Sequence, residues 1–345
     1  MTCASEFVTF LSETKQLHLP TLRFVLRCVV AAGNYDQHFS DDGERLFRLV
    51  GPALIWPKSM RITLSAKFAK EMQSHPVDSH DTVSLCKLLL SNPSTLWPAF
   101  QSIILSTWQR ESYLIQCAFA ETLALLESDS LRQEGQHDNL VHVAALYELN
   151  PIETEILQFA VTAKQWPGFH NFLKHMPMAS MGEAWGTFAA MVGCTESELR
   201  EAIDPKQALR SNFLIKLDRA PDHFDEFINV GPVAYRLFLM HANSREGLQA
   251  TFLQPITPPD LTTADFPHLA DEFNWLVGCL KEAAQTKECG VNILIQGQTG
   301  IGKTEFARLL VQTTGLPGFE INADIDCCYV RRSLRCATPP CPSFI

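Results

Sequence analysis

Apolar residues recur at three- and four-residue steps from about Leu19 to about His241, and that spacing predicts one helix after another. Val25, Val29 and Val30 line one face early on. Val83 through Leu90 forms a second apolar stretch, and Leu114, Ile115, Ala118, Phe119 and Leu126 form a third. Breaks fall at Gly51-Pro52, Ser91-Asn92-Pro93, Asn150-Pro151 and Pro167-Gly168, residue types that punctuate helices. The fold class predicted is therefore mainly α over residues 1–250, in two lobes of about 1–135 and 136–250.

Two helix–turn–helix units stand out in the second lobe. Ala145 to Ile156 runs parallel to Ala190 to Leu199, and each places a capping residue, Asn150 or Thr195, three residues before a glutamate, Glu153 or Glu198. Such units can seat a helix in a DNA groove. Here the second helices are acidic: Pro151 to Ala163 carries Glu153 and Glu155 with no basic residue, and Glu196 to Asp204 carries four acids against Arg200. Phosphate repels that charge, so the pattern points to helix packing or a protein partner and argues against nucleic acid.

Past residue 250 the pattern changes. Pro255, Pro258, Pro259 and Pro267 predict an extended linker over 251–267. A helix is expected at Asp271 to Gln285, with Phe273, Leu276, Val277, Leu280 and Ala284 on one side. The β-branched run Val291-Asn292-Ile293-Leu294-Ile295 then reads as a buried parallel strand. Phe306, Leu309 and Leu310 fall at helical spacing after it, and Gly315 and Pro317 signal the stop.

Between that strand and that helix lies Gly297-Gln298-Thr299-Gly300-Ile301-Gly302-Lys303-Thr304, the G-x-x-x-x-G-K-[ST] phosphate loop. Glycines let the backbone curl so that several N–H groups aim at one anion, and the helix N-terminus adds its partial positive charge. Lys303 is expected to reach the β- and γ-phosphates of ATP, and the Thr304 hydroxyl to complete the coordination of Mg²⁺.

Composition narrows the setting. The chain has 345 residues, 46% of them hydrophobic and 19% charged, with a formal charge of −10, which disfavours broad attraction to nucleic acid or anionic membrane. No run of about 18 uncharged apolar residues predicts a membrane span, and Met1 to Lys15 lacks the order of a secretory signal. A cytoplasmic protein is expected. Of eleven cysteines, Cys3, Cys28, Cys86, Cys117, Cys194, Cys279 and Cys289 are scattered singly and read as small core hydrophobes. Cys327, Cys328, Cys336 and Cys341 crowd near the end without a C-x₂-C pair, a poor pattern for zinc. His137 and His142, like His170 and His175, are five apart and off the spacing that puts two ligands on one helical face. The six tryptophans, Trp56, Trp97, Trp108, Trp166, Trp185 and Trp275, are expected in packing roles.

The segment from Phe266 to Glu320 resembles the nucleotide-binding core of AAA+ ATPases. Its carrying residues are Asp265-Phe266-Pro267-His268-Leu269 before a helix, Gly290 to Ile295 as first strand, and Gly300 to Arg308 through the loop into its helix. Bacterial members with large helical amino-terminal regions look most similar, and Leu199 to Leu239 resembles what precedes their core. The resemblance implies an α/β P-loop domain start over 268–326, with ATP and Mg²⁺ as cofactors. It adds Glu305 and His268 to the binding set, with Phe266 and Leu269 flanking the base. In that family hydrolysis drives a ring of subunits to remodel a macromolecule. The family's next elements are an apolar run ending in Asp-Glu, sensor residues and an arginine finger, none of which is found between Thr304 and Ile345. Phe319 to Asn322 is the candidate second strand, Asp324 and Asp326 lack the apolar run, and 327–345 reads as a foreign Cys/Arg/Pro-rich tail on an interrupted core. The expectation is ATP binding without turnover, no catalytic residue, and a homo-oligomer only with a complete core. The alternative is a helical protein-interaction module with a vestigial nucleotide site.

Overall fold

The computed structural model describes residues 2–32, 43–73, 81–128, 131, 138–176, 181–218, 223–239, 247, 253–286 and 291–321. The first part is helical, as the periodicity predicts. Helices α1 (Thr2–Glu13), α2 (Leu19–Ala32), α3 (Gly43–Val50), α4 (Lys58–Met72), α5 (Thr82–Ser91) and α6 (Pro93–Leu126) come first. They are followed by α7 (Asp138–Leu146), α8 (Pro151–Gln165), α9 (Pro167–Lys174), α10 (Met181–Val192), α11 (Glu196–Ala202) and α12 (Ala208–Ser211). The prolines at 93, 151 and 167 occupy the first helical position, where a missing N–H costs nothing, so they start helices more than they break them. Gly51-Pro52 instead forms a buried 3-10 turn, Gly51–Ala53, between α3 and α4.

Both capping boxes form. Asn150 Oδ1 accepts from Glu153 N–H at 2.9 Å while Glu153 Oε2 accepts from Asn150 N–H at 3.0 Å, and Thr195 and Glu198 make the same exchange at the head of α11. The first of these helices packs into the core, while the second, α11, buries only Leu199 and Ala202. Helix α8 is a core helix, with Glu153, Glu155 and every residue from Ile156 to Ala163 buried, so it offers no face to a DNA groove.

Helix α2 is the central strut. It packs against α6, α8 and α10, with Leu22, Phe24, Val25, Leu26 and Val29 buried, whereas Val30 turns outward. Aromatic rings join α2, α8, α9 and α10: Phe159 of α8 meets Phe24 of α2 edge-on at 5.3 Å, Phe169 of α9 at 5.3 Å and Phe188 of α10 at 4.8 Å. One continuous apolar core runs from Phe7 to Phe238, so the expected lobe boundary near residue 135 is not a division of the core. A short antiparallel pair, β1 (Ile215–Leu217) and β2 (Ile228–Val230), closes this part together with α13 (Phe224–Phe227) and α14 (Pro232–Leu239).

The C-terminal part departs from expectation. Inside the segment predicted to be an extended linker, β3 (Leu253–Pro255) pairs antiparallel with β4 (Phe319–Ile321), in the register Leu253 to Ile321 and Pro255 to Phe319. Ile256 N–H donates to Gly318 O at 3.1 Å to extend the pairing. Phe319 to Ile321 is therefore a strand, but its neighbour is the linker and not a parallel first strand. Helix α15 (Ala270–Thr286) and helix α16 (Lys303–Thr314) form as predicted and pack on each other. The run Val291 to Ile295 is in neither helix nor strand, and Leu294 is 80% exposed. A parallel strand is held by neighbours on its edges and helices on its faces, and without a ladder the β-branched pattern alone does not make one.

No described helix is long and apolar enough to cross a membrane. The tail Cys327 to Ile345, Asp324, Asp326, His137 and Cys289 lie outside the described residues, and so does the side chain of Cys3.

Candidate functional site

A second, small core cluster lies beneath the loop Gly297 to Thr304. Phe273 on α15, with Leu276 and Val277 beside it, packs with Phe306, Leu309 and Leu310 on α16, and Phe266 from the linker completes the cluster. The three phenylalanines meet edge to face, Phe306 lying 5.3 Å from Phe266 and 5.5 Å from Phe273. Helix α16 ends where Gly315 takes a left-handed conformation at φ +70, the role the sequence assigns it.

At its other end α16 begins from Gly302, also left-handed at φ +87, two residues after Gly300 at the same φ. A Cβ at Gly302 would also lie 3.3 Å from the Phe266 ring, a tight contact, and the left-handed backbone is what favours glycine there. The first intrahelical bond runs from Phe306 N–H to Gly302 O at 2.8 Å. The N–H groups of Lys303, Thr304 and Glu305 thus precede it, as the first turn of any helix leaves its leading donors without an intrahelical acceptor. Lys303 folds back over the loop, its Nζ donating to Gly297 O at 3.0 Å and to Gln298 O at 2.6 Å. The ammonium therefore sits inside the ring of loop backbone, held by carbonyl dipoles.

The other expected binding residues divide. Gln298, Thr299, Gly300, Ile301 and Thr304 are solvent-exposed along the loop and first turn. His268 is exposed on a 3-10 turn, Pro267–Leu269. Phe266 is buried beneath the loop and not free to flank a base, and Leu269 packs beside it, partly buried. Glu305 is turned away: its Oε2 accepts the Asp260 N–H at 2.7 Å and its Oε1 takes Arg308 at 2.9 Å. Arg308 also donates to Glu320 Oε1 at 2.7 Å, and that bond, ahead of the attraction of the two carboxylates, holds its guanidinium above the ordinary range. Glu305 and Arg308 thereby tie the linker, α16 and β4 together, a structural task beside the loop.

Elsewhere the candidate ligands stay apart. His170 Nε2 lies 3.7 Å from Asp225 Oδ2, while His175 bonds its own helix through Asn171 O at 2.8 Å. Among the described residues no group of three or more His, Cys, Asp and Glu side chains is placed to hold a metal. Cys28 and Cys86 are buried free thiols, and burial pushes Cys28 up to about 12 and Cys86 higher still. Trp275 departs from the packing role expected of the tryptophans: it is 68% exposed on α15.

Sequence reading missed the strongest polar feature. Two arginines on the apolar helix α2 meet Glu155 of α8, Arg23 through Nε at 3.3 Å and Arg27 through Nη1 at 2.7 Å. Arg27 also pairs with Glu127 at 2.5 Å and donates to the carbonyls of Met191 and Val192, closing the end of α10. Burial works against its charge, but the Glu127 hydrogen bond and both carboxylates overcome that and hold it above its ordinary range. Gly193 follows at φ +82, with the Arg27 guanidinium 3.0 Å from where a side chain would start. The signal in the sequence was two arginines four apart inside Leu22 to Val30, a face whose other members are apolar.

Comparison of the chain with protein-family models, with curated proteins and with solved structures returns no match.

Proposed function

We propose that the chain binds ATP with Mg²⁺ through Gly297 to Thr304, as a protein of the AAA+ type, and does not turn it over alone. One observation carries this reading: Lys303 and two left-handed glycines at the head of a 12-residue helix, with the lysine ammonium drawn into the loop by its own carbonyls. A triphosphate offers that ammonium a stronger acceptor and the leading N–H groups of α16 an anion. Thr304, exposed in the first turn, is the residue to meet Mg²⁺. Hydrolysis further needs a placed water and charge stabilisation. The carboxylate adjoining the loop in sequence, Glu305, is committed to Asp260 and Arg308. The free thiols of Cys28 and Cys86 fit a reducing compartment, and the cytoplasm is part of the proposal.

The second reading, a helical protein-interaction module with a vestigial nucleotide site, draws on the unladdered run Val291 to Ile295, in which Val291 and Leu294 are exposed. Calorimetry and thermal unfolding with MgATP separate the two. At a hundredfold excess over the dissociation constant, ATP should stabilise the unit it binds by about 2.7 kcal/mol, and Lys303→Ala should weaken binding at least tenfold. No heat and no shift from the folded wild-type chain would remove the nucleotide reading and leave the interaction module.

A further inference from the structure

The loop Gly297 to Thr304 is open to water along its outer side. Gly297 to Ile301 and Thr304 are exposed, and the Lys303 ammonium rests on the carbonyls of Gly297 and Gln298 at 3.0 and 2.6 Å. An ammonium, a hydroxyl and the leading N–H groups of α16 all attract negative oxygen, and none of them reads a ring. They suit a chain of phosphates.

The side on which the AAA+ resemblance puts the base is already filled by the chain. Phe266, 6% exposed, lies beneath the loop, its ring 3.3 Å from where a Cβ at Gly302 would start and 5.3 Å edge-on from Phe306. Leu261 approaches the same point at 3.7 Å, and Leu269 is partly buried against the same small cluster. The Asp260 N–H donates to Glu305 Oε2 at 2.7 Å, which holds the linker in that place. Turning Phe266 outward to stack on a base would expose its ring and leave a void beside Phe306, both unfavourable. The other apolar side chains near the loop are committed or distant. Ile301 lies back against Gly297, leaving no room there for a Cβ. Trp275 is exposed, but it stands about 200° round α15 from Phe273, the residue that packs on α16.

We propose that this site binds through the triphosphate chain alone and takes nucleoside triphosphates of any base, the base itself remaining in water. Tripolyphosphate is then its minimal ligand. The proposal rests on the reading of Gly297 to Thr304 as a nucleotide site and adds what that site selects.

Calorimetry on the full chain with Mg²⁺ compares ATP, GTP, CTP and tripolyphosphate. The three nucleotides should bind within about threefold of one another, with tripolyphosphate at least as tight, and Lys303→Ala should weaken all four by at least about tenfold. A base held by one stacked ring and one hydrogen bond would instead set ATP about tenfold or more ahead of CTP and tripolyphosphate. Where the base lies is read separately with etheno-ATP, whose fluorescent base acrylamide quenches on contact. The bound probe should be quenched nearly as strongly as the free one. An ATP preference of that size, or an etheno base shielded from acrylamide, would overturn the proposal and leave the nucleotide site standing. Heat from none of the four ligands would remove the site itself, and this proposal with it.

Discussion

Arg27 shows how one residue can decide the packing of four helices. It joins α2 to the last carbonyls of α10, to Glu155 of α8 and to Glu127 at the end of α6. Removing one partner of a buried pair leaves the other charged and unmatched, which costs about 3–5 kcal/mol, whereas replacing the group by apolar residues can be near neutral. Arg27→Ala should therefore cost that much in urea denaturation, and adding Glu155→Leu should deepen the loss, because it also strips the buried Arg23 of its carboxylate. A loss under about 1 kcal/mol for the single variant would mean the network contributes little. His18 gives a pH dependence that can be told from it. Its folded pKa is about 4 against an ordinary 6.5, so between those values the unfolded chain takes up a proton that the folded one refuses. Stability is fully present above pH 6.5 and falls as pH drops toward 4, with a slope of about 1.4 kcal/mol per pH unit from this one group. His18→Phe should flatten that window, and an unchanged slope would show the ring is charged in the folded protein.

At the scale of elements, local signals were legible and non-local ones were not. The capping boxes, the apolar stripe of α16 and the glycine that ends it are written in residues a few positions apart, and each appears where the sequence puts it. The run Val291 to Ile295 has every local mark of a strand, yet a strand exists only through a ladder to another segment, which no local pattern specifies. The pairing of β3 with β4 escaped notice for the converse reason: Pro255 masks a strand, though at its end a proline is tolerated. The buried faces of α2 and α8 were hidden because Arg27 and Glu155 cancel each other only in space. The candidate site follows the same division: the loop and its helix could be read directly, while the turning of Glu305 toward Asp260 could not. Caps, being local, also allow a comparison. Asn150→Ala should cost about 1–2 kcal/mol, since it undoes a cap whose partner Glu153 is 3% exposed, and Thr195→Ala less, since its box is open to solvent. Equal losses in paired thermal melts would show that burial of the box does not matter.

Across the whole molecule the two cores are unequal. The large one spans Phe7 to Phe238, while the small one rests on Phe266, Phe273, Phe306, Leu309 and Leu310. Among the described residues the two meet where Phe319 packs on the large core, in the short β3 to β4 ladder that starts from the linker. A unit with so few buried side chains has little stability to spare, and the segments that open first in a protein are those with least apolar burial. Phe306 sits at the centre of the small cluster, in edge contact with two other rings, so Phe306→Ala should remove about 3–5 kcal/mol from that cluster. Hydrogen exchange followed by mass spectrometry reads the two units apart. In the variant, amides of Lys303 to Thr314 should exchange at least a hundredfold faster, while those of Pro151 to Gln165 keep their wild-type rates. MgATP added to the wild type should act in the opposite sense on the same peptides, because the loop proposed to take it is the head of α16. If both peptides accelerate together in Phe306→Ala, the chain opens as one cooperative body and the weak joint between the cores does not exist.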